Sequence, residues 1–372
     1  MIQTLALLLD AYREMNARKM FWITLVISSL LMGAFAFVGM NGTGLTFAGM
    51  HWDLRPLEPI VIYKTFFSLF MVGIWLTWAA IVLALISTAG MFPDLITGGT
   101  IDLYLSKPLS RLRLFLTKYL TGLLFVTLQV TIFAVGSFLV FGFRAHEWKP
   151  SFFMAVPIVV CMFSYLFAFC VLLGVWLRST VAAILLTVVF WLAFFGAQKA
   201  DTGLLAMDVL LQRQLAHDRH LIASADDRLA QMSLMDKFSG KGLMLGYRRK
   251  NAVERLPDLE KNAARFHTWH RIATAINCFV PKTTETTNLL DRWLFTDEEA
   301  GETEDRRQAR RRQFRENDSN SLFADDDAMQ DAGVDVANAT RNRSLWYIVG
   351  TSLACEAVVV ALGAWIFCRR DY

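Results

Sequence analysis

Apolar residues along the chain gather into six runs, 20–40, 60–90, 114–143, 152–176, 180–198 and 345–368, and the only charges inside them are Lys64, Lys118 and Glu356. A helix crossing roughly 30 Å of hydrocarbon needs about 20 such residues. The pattern therefore predicts an all-α, polytopic membrane protein with six transmembrane helices. Three regions follow: 1–198 holds five spans, 199–344 is a polar insertion, and 345–372 holds the sixth span and a short tail.

The polar stretches have character of their own. Ile2 to Leu9, followed by Asp10, Arg13, Glu14, Arg18 and Lys19, predicts a short amphipathic helix lying in the membrane interface; a frayed polar terminus is the plainer alternative. A signal peptide competes for the first run through Ala34-Phe35-Ala36, but its apolar region is too long for one. Within the insertion, Leu204 to Phe238 (Leu210, Leu211, Leu215) and Asn251 to Phe279 (Ala263, Phe266, Trp269, Ile272, Ala273, Ile276) carry helical spacing. Thr296 to Arg343 carries blocks of charge with few apolar anchors and is expected to be mobile. In the last run, Gly350, Ala354, Ala357, Ala361 and Ala364 form a small-residue stripe suited to close helix packing.

Composition agrees with the pattern. The chain is 55% hydrophobic with a net charge of +4 and a mean hydropathy of +0.40, which excludes a single soluble globule and a secreted disulfide scaffold. Cys161, Cys170, Cys355 and Cys368 lie inside apolar runs and Cys278 stands alone, so no cysteine-based zinc site is expected. The mild basic excess is better explained by loop bias than by nucleic acid, which is not an expected partner. With the first residues placed in the cytoplasm, the short inside segments hold nine basic residues (Arg13, Arg18, Lys19, Lys107, Arg111, Arg113, Arg178, Arg369, Arg370) against three outside (Arg55, Arg144, Lys149). That bias predicts both termini inside and 199–344 outside, as a large, mostly helical extracytoplasmic insertion between helices 5 and 6.

The link 91–113 joins the two longest runs, of 31 and 30 residues, which exceed one bilayer crossing and must tilt or project beyond it. Pro93 and Gly98-Gly99 are expected to end the preceding helix, Thr100 to cap a new one, and Lys107 before Pro108 to close it. Ile101, Tyr104 and Leu105 share one face of that short helix. An ordinary loop with Lys107, Arg111 and Arg113 against anionic lipid is the alternative.

Motifs for nucleotide chemistry are missing: the chain has no GxxxxGK[ST] loop, and no HExxH or GxSxG either. No cofactor is expected on this chain. His217/His220 and His267/His270 are spaced to share a metal ion, but neither pair has a preorganised third ligand, so they are weak candidates and no metal site is expected. Glu356 sits in mid-span, where an ionised carboxylate is costly. It either faces a translocation path or partner span, or is hydrogen-bonded to a neighbouring helix.

The run Gly99-Thr100-Ile101-Asp102-Leu103-Tyr104-Leu105-Ser106-Lys107-Pro108-Leu109-Ser110-Arg111, with Lys118 seven residues on, resembles the cytoplasmic coupling segment of type 2 ABC export permeases. In that pattern an acidic residue precedes Gly-Thr; here it is Asp94, displaced upstream, with Gly98 added. The insertion is also far longer than that family's usual hairpin. The resemblance implies a membrane permease subunit of an ATP-binding cassette exporter in the bacterial inner (plasma) membrane. It would pair with a second permease, as homodimer or heterodimer, on ATPase subunits that hold ATP and Mg. Asp94, Gly99, Thr100, Ile101, Tyr104, Leu105, Lys107, Pro108, Ser110 and Arg111 would couple the permease to the ATPase, and the chain itself would not be an enzyme. A membrane-embedded enzyme acting on lipid or lipid-linked substrate, and a passive channel or assembly scaffold, are the alternatives.

Overall fold

A computed structural model describes residues 13, 19–37, 39–41, 44–47, 50–53, 68–97, 110–144, 148, 150–294, 336, 339 and 343–370. The interfacial helix expected at the N-terminus, the short helix expected from Ile101 to Ser106 and the mobility expected across 296–343 fall almost wholly outside these residues.

The described apolar runs are helical. Helix α1 spans Lys19–Ala36. After it, β1 (Gly39–Asn41), β2 (Gly44–Phe47) and β3 (Met50–Asp53) form a small antiparallel sheet, with Asn41 opposite Gly44 and Phe47 opposite Met50. This small sheet occupies the loop expected after the first span, and every other described element is helical. A wide π-helical stretch, Ser68–Ala79, leads into α2 (Ala80–Thr88) and, past a turn, α3 (Met91–Thr97). Then come α4 (Arg111–Arg144), a 3-10 turn at Pro150–Met154, and α5 (Ala155–Leu177). The longest helix, α6, runs Thr180–Gln231; α7 is Leu234–Lys237, α8 Gly240–Asn277 and α9 Thr283–Leu294. A π-helical turn, Trp346–Gly350, opens α10, Thr351–Arg369.

Five of the described helical segments are long and apolar enough to cross a membrane: Gly73–Ile96, Arg111–Phe143, Pro150–Leu177, Thr180–Gln231 and Trp346–Arg369. The first expected span is a shorter apolar helix, Phe21–Ala36.

By contacts the chain divides into two units. One comprises Met1–Phe194, Pro281–Arg306 and Ile348–Tyr372; the other comprises Phe195–Val280 and Arg307–Tyr347. The stretch around α9 thus belongs with the apolar helices, although the sequence places it in the 199–344 insertion.

In the first unit α5 is the hub, touching α2, α3, α4, α9 and α10. Its segment is 72% buried in its most apolar window, against 33% for α4 and α10 and 17% for α6. Composition explains this, because α5 carries no charge and is apolar on every side, as a central helix must be. The segment expected to open a polar link is instead core: Met91, Phe92, Leu95 and Ile96 of α3 are buried. Close approaches are set by small residues. A methyl group on Gly122 of α4 would meet Phe167 Cζ of α5 at 2.5 Å, and one on Gly174 would meet Pro93 of α3 at 3.3 Å. Arg178 ends α5 in the left-handed region at φ 55°, with its N–H donating to Gly174 O, and Ser179 then caps α6.

The second unit contains the remainder of α6, then α7 and α8. Leu211 and Leu215 of α6 pack with Ala263, Leu259 and Phe266 of α8, as the apolar spacing predicts. Trp269, Ile272 and Ile276, which belong to the same helical spacing, are exposed.

Candidate functional site

Glu356 is the focal point of the first unit. It lies on α10, and each carboxylate oxygen meets a hydroxyl from a different helix: Tyr119 Oη of α4 donates to Oε1 at 2.7 Å, and Ser164 Oγ of α5 is 2.8 Å from Oε2. The Tyr119 ring stacks on Phe167 at 5.2 Å and 18°, and Phe167 on Phe163 with the same geometry. Gly122 makes room for that column one turn along α4. Ser164 has a second acceptor, Cys161 O, also at 2.8 Å, so its single proton lies between two claimants. The mid-span acid is thus tied to two neighbouring helices.

One turn before Glu356 a second polar group joins α9 to α10. Ser352 Oγ accepts from the Lys282 N–H at 2.9 Å and donates to Ile348 O, while Lys282 Nζ donates to Thr351 Oγ1. Thr286 Oγ1 donates back to Lys282 O at 2.7 Å. Three spans and one short helix are therefore held by hydroxyls and one carboxylate rather than by apolar contact alone. In lipid such bonds substitute for the hydrophobic force that drives packing in water.

The coupling candidates divide. Gly99, Thr100, Ile101, Tyr104, Leu105, Lys107 and Pro108 lie outside the described residues. Asp94 is exposed in the first turn of α3, where an acidic side chain complements the helix N-terminus. Ser110 caps α4, its Oγ accepting from the Arg113 N–H at 3.3 Å. Arg111 turns inward: Nη1 donates to Arg370 O at 2.8 Å and Cys368 O at 3.3 Å, the terminal carbonyls of α10. Arg370 in turn donates from Nη1 to Val175 O at 2.8 Å and Trp176 O at 3.0 Å, at the end of α5. Two guanidinium groups thus satisfy carbonyls left open at two helix C-termini, where cations are favoured. Arg111 thus ties the start of α4 to the end of α10.

In the second unit the histidines separate rather than converge. His267 Nδ1 faces Asp208 Oδ2 at 3.2 Å. Its neighbour His270 lies 3.8 Å from Asp201 Oδ1, beside Arg343 Nη2 on Oδ2 at 3.0 Å and the Thr274 hydroxyl on Oδ1 at 3.0 Å. His217 and His220 are exposed on α6. Among the described residues no three His, Cys, Asp or Glu side chains gather to hold an ion. The five cysteines are free thiols.

Tyr119, Ser164, Arg370, Asp201 and Arg343 were not singled out as site residues in the sequence. Tyr119 and Ser164 are single hydroxyls inside apolar runs, and only the presence of Glu356 signals that partners must exist.

Residues 30–200 are similar to a family described as "Protein of unknown function (DUF2705)". No curated protein and no solved structure matches the chain.

Proposed function

We propose that this chain is the membrane permease subunit of an ATP-driven exporter, energised by a separate ATPase that carries ATP and Mg. The reading places both termini and the 91–113 link in the cytoplasm of a bacterium, with its inner membrane crossed six times, and pairs the chain with a second permease, identical or not. The observation that supports it is mechanical. The stretch resembling a coupling segment is strung between α3 and α4, both packed on the hub α5, and Arg111 at its end is bonded to the last carbonyls of α10.

A push on residues 98–110 is thereby handed to three spans at once. Those same three, α4, α5 and α10, meet again at Glu356. Their shared displacement is the movement that would exchange inward- and outward-open packings. Tyr104 and its apolar neighbours are the anchor expected to dock on the ATPase, with Lys107 at the rim. Purification from native membranes with the bound proteins identified tests the reading; an ATPase subunit should accompany the chain, and its consistent absence removes the proposal.

A further inference from the structure

The tip of the second unit, from Leu234 to Tyr247, shows large apolar side chains that no described residue of the unit covers: Met235 is 88% exposed, Phe238 77%, Leu234 76%, Tyr247 65%, Leu243 61% and Met244 55%. The tip is a built turn. Ser239 Oγ donates to Asp236 O, and Gly242 lies so close that a Cβ there would sit 2.6 Å from the carbonyl oxygens of Asp236 and Lys237. Only glycine admits that approach. The turn therefore holds the end of α7 against the start of α8 and presents both sets of side chains together.

The charge around this patch selects its occupant. Residues 232–250 contain five cations, Lys237, Lys241, Arg248, Arg249 and Lys250, and one acid, Asp236. Arg249 pairs with Asp226 and Lys250 with Glu254, while Lys237, Lys241 and Arg248 stand exposed beside the apolar residues. Aromatic, methionine and leucine side chains flanked by Lys and Arg match the boundary between acyl chains and anionic headgroups. We infer that the 234–248 tip is a membrane-contacting element that inserts into the surface of an anionic lipid bilayer. The inference stands on the second unit alone and is independent of the transport reading.

The test uses the full chain in phosphatidylcholine nanodiscs or in discs that also contain phosphatidylglycerol. An environment-sensitive fluorophore is placed through Met235→Cys in a Cys278→Ser background, and Cys278→Ser alone supplies the label background. Emission should shift to the blue and be quenched by lipid-borne quenchers only when phosphatidylglycerol is present, either in the disc or in added vesicles. The two arms separate the chain's own bilayer from a second one. Phe238→Asp, or Lys237→Gln with Lys241→Gln, should weaken the lipid dependence about tenfold. These positions are exposed, so folding is preserved and an unchanged circular dichroism spectrum verifies it. Water-like emission in every lipid, an equal shift in neutral lipid, or a shift that follows protein concentration without lipid would each overturn the inference; the last would assign the tip to a second copy.

Discussion

Removing the Tyr119 hydroxyl with Tyr119→Phe takes a donor from 2.7 Å off Glu356 Oε1 and leaves the ring stack on Phe167 intact. An unsatisfied buried acceptor costs about 1–3 kcal/mol, while hydrogen bonds between membrane helices average about 0.6 kcal/mol and reach about 1.7. Both bounds place the loss near 1–1.5 kcal/mol. Glu356→Leu removes both acceptors. It relieves the carboxyl of its membrane position, but Tyr119 Oη is left with only Ser164 O at 3.4 Å, so a net loss of about 1 kcal/mol follows. The double variant leaves neither hydroxyl nor carboxyl in that contact and should cost less than the sum by at least about 0.5 kcal/mol. Glu356→Gln keeps an acceptor for Tyr119 and adds a donor for Ser164, whose own proton then serves Cys161 O. It should lie within about 0.5 kcal/mol of the parent. Reversible unfolding in mixed detergent, monitored by helicity, reads these differences. Strict additivity of Tyr119→Phe and Glu356→Leu would refute the coupling of α4 to α10 through this acid.

Three further outcomes follow from the packing. Arg370→Ala opens the α5 carbonyls at Val175 and Trp176 and should lower stability by about 1–2 kcal/mol, with Arg370→Lys recovering part of it in the same unfolding assay. Gly122→Ala puts a methyl group 2.5 Å from the buried Phe167 ring and should cost about 1–3 kcal/mol; a neutral result would show that the aromatic column slides freely. Asp201→Ala leaves Arg343 and Thr274 without their shared carboxylate and should destabilise the second unit by about 2–4 kcal/mol. Limited proteolysis should then cut within 199–280 faster while the apolar helices stay protected.

The apolar helices were legible because runs such as 152–176 have no competing interpretation: an uninterrupted apolar segment of that length must be a helix in lipid. What the runs hide is which helix lies at the centre. Only three-dimensional packing shows α5 surrounded and the apolar part of α6 bare. Boundaries failed where polarity and helicity part company. The helix that begins as the fifth span continues to Gln231, since leaving the apolar run changes the solvent but not the helical backbone. Helix α9 escaped notice because its buried face is Thr283, Thr286 and Leu289, mostly hydroxyls that a hydrophobic pattern does not register.

The small-residue stripe divides: Ala364 is buried, while Ala354, Ala357 and Ala361 are exposed within the chain, and the packed face of α10 also carries Ser352, Val359, Gly363 and Phe367. Small size permits close approach without naming the neighbour. Glu356 was visible as an anomaly, yet its partners were not, because the hydroxyls of Tyr119 and Ser164 lie 237 and 192 residues away in the chain.

The central claim is that a separate ATPase drives this chain through residues 94–111. Co-purification from native membranes, comparing the parent with Tyr104→Ala and Lys107→Ala, measures it directly. The account predicts an ATPase bound to the parent, lost with Tyr104→Ala and retained, with a weaker dependence on salt, in Lys107→Ala. An ATPase that stays equally bound when both residues are changed would contradict the coupling assignment, and a parent that brings none would contradict the transporter reading itself.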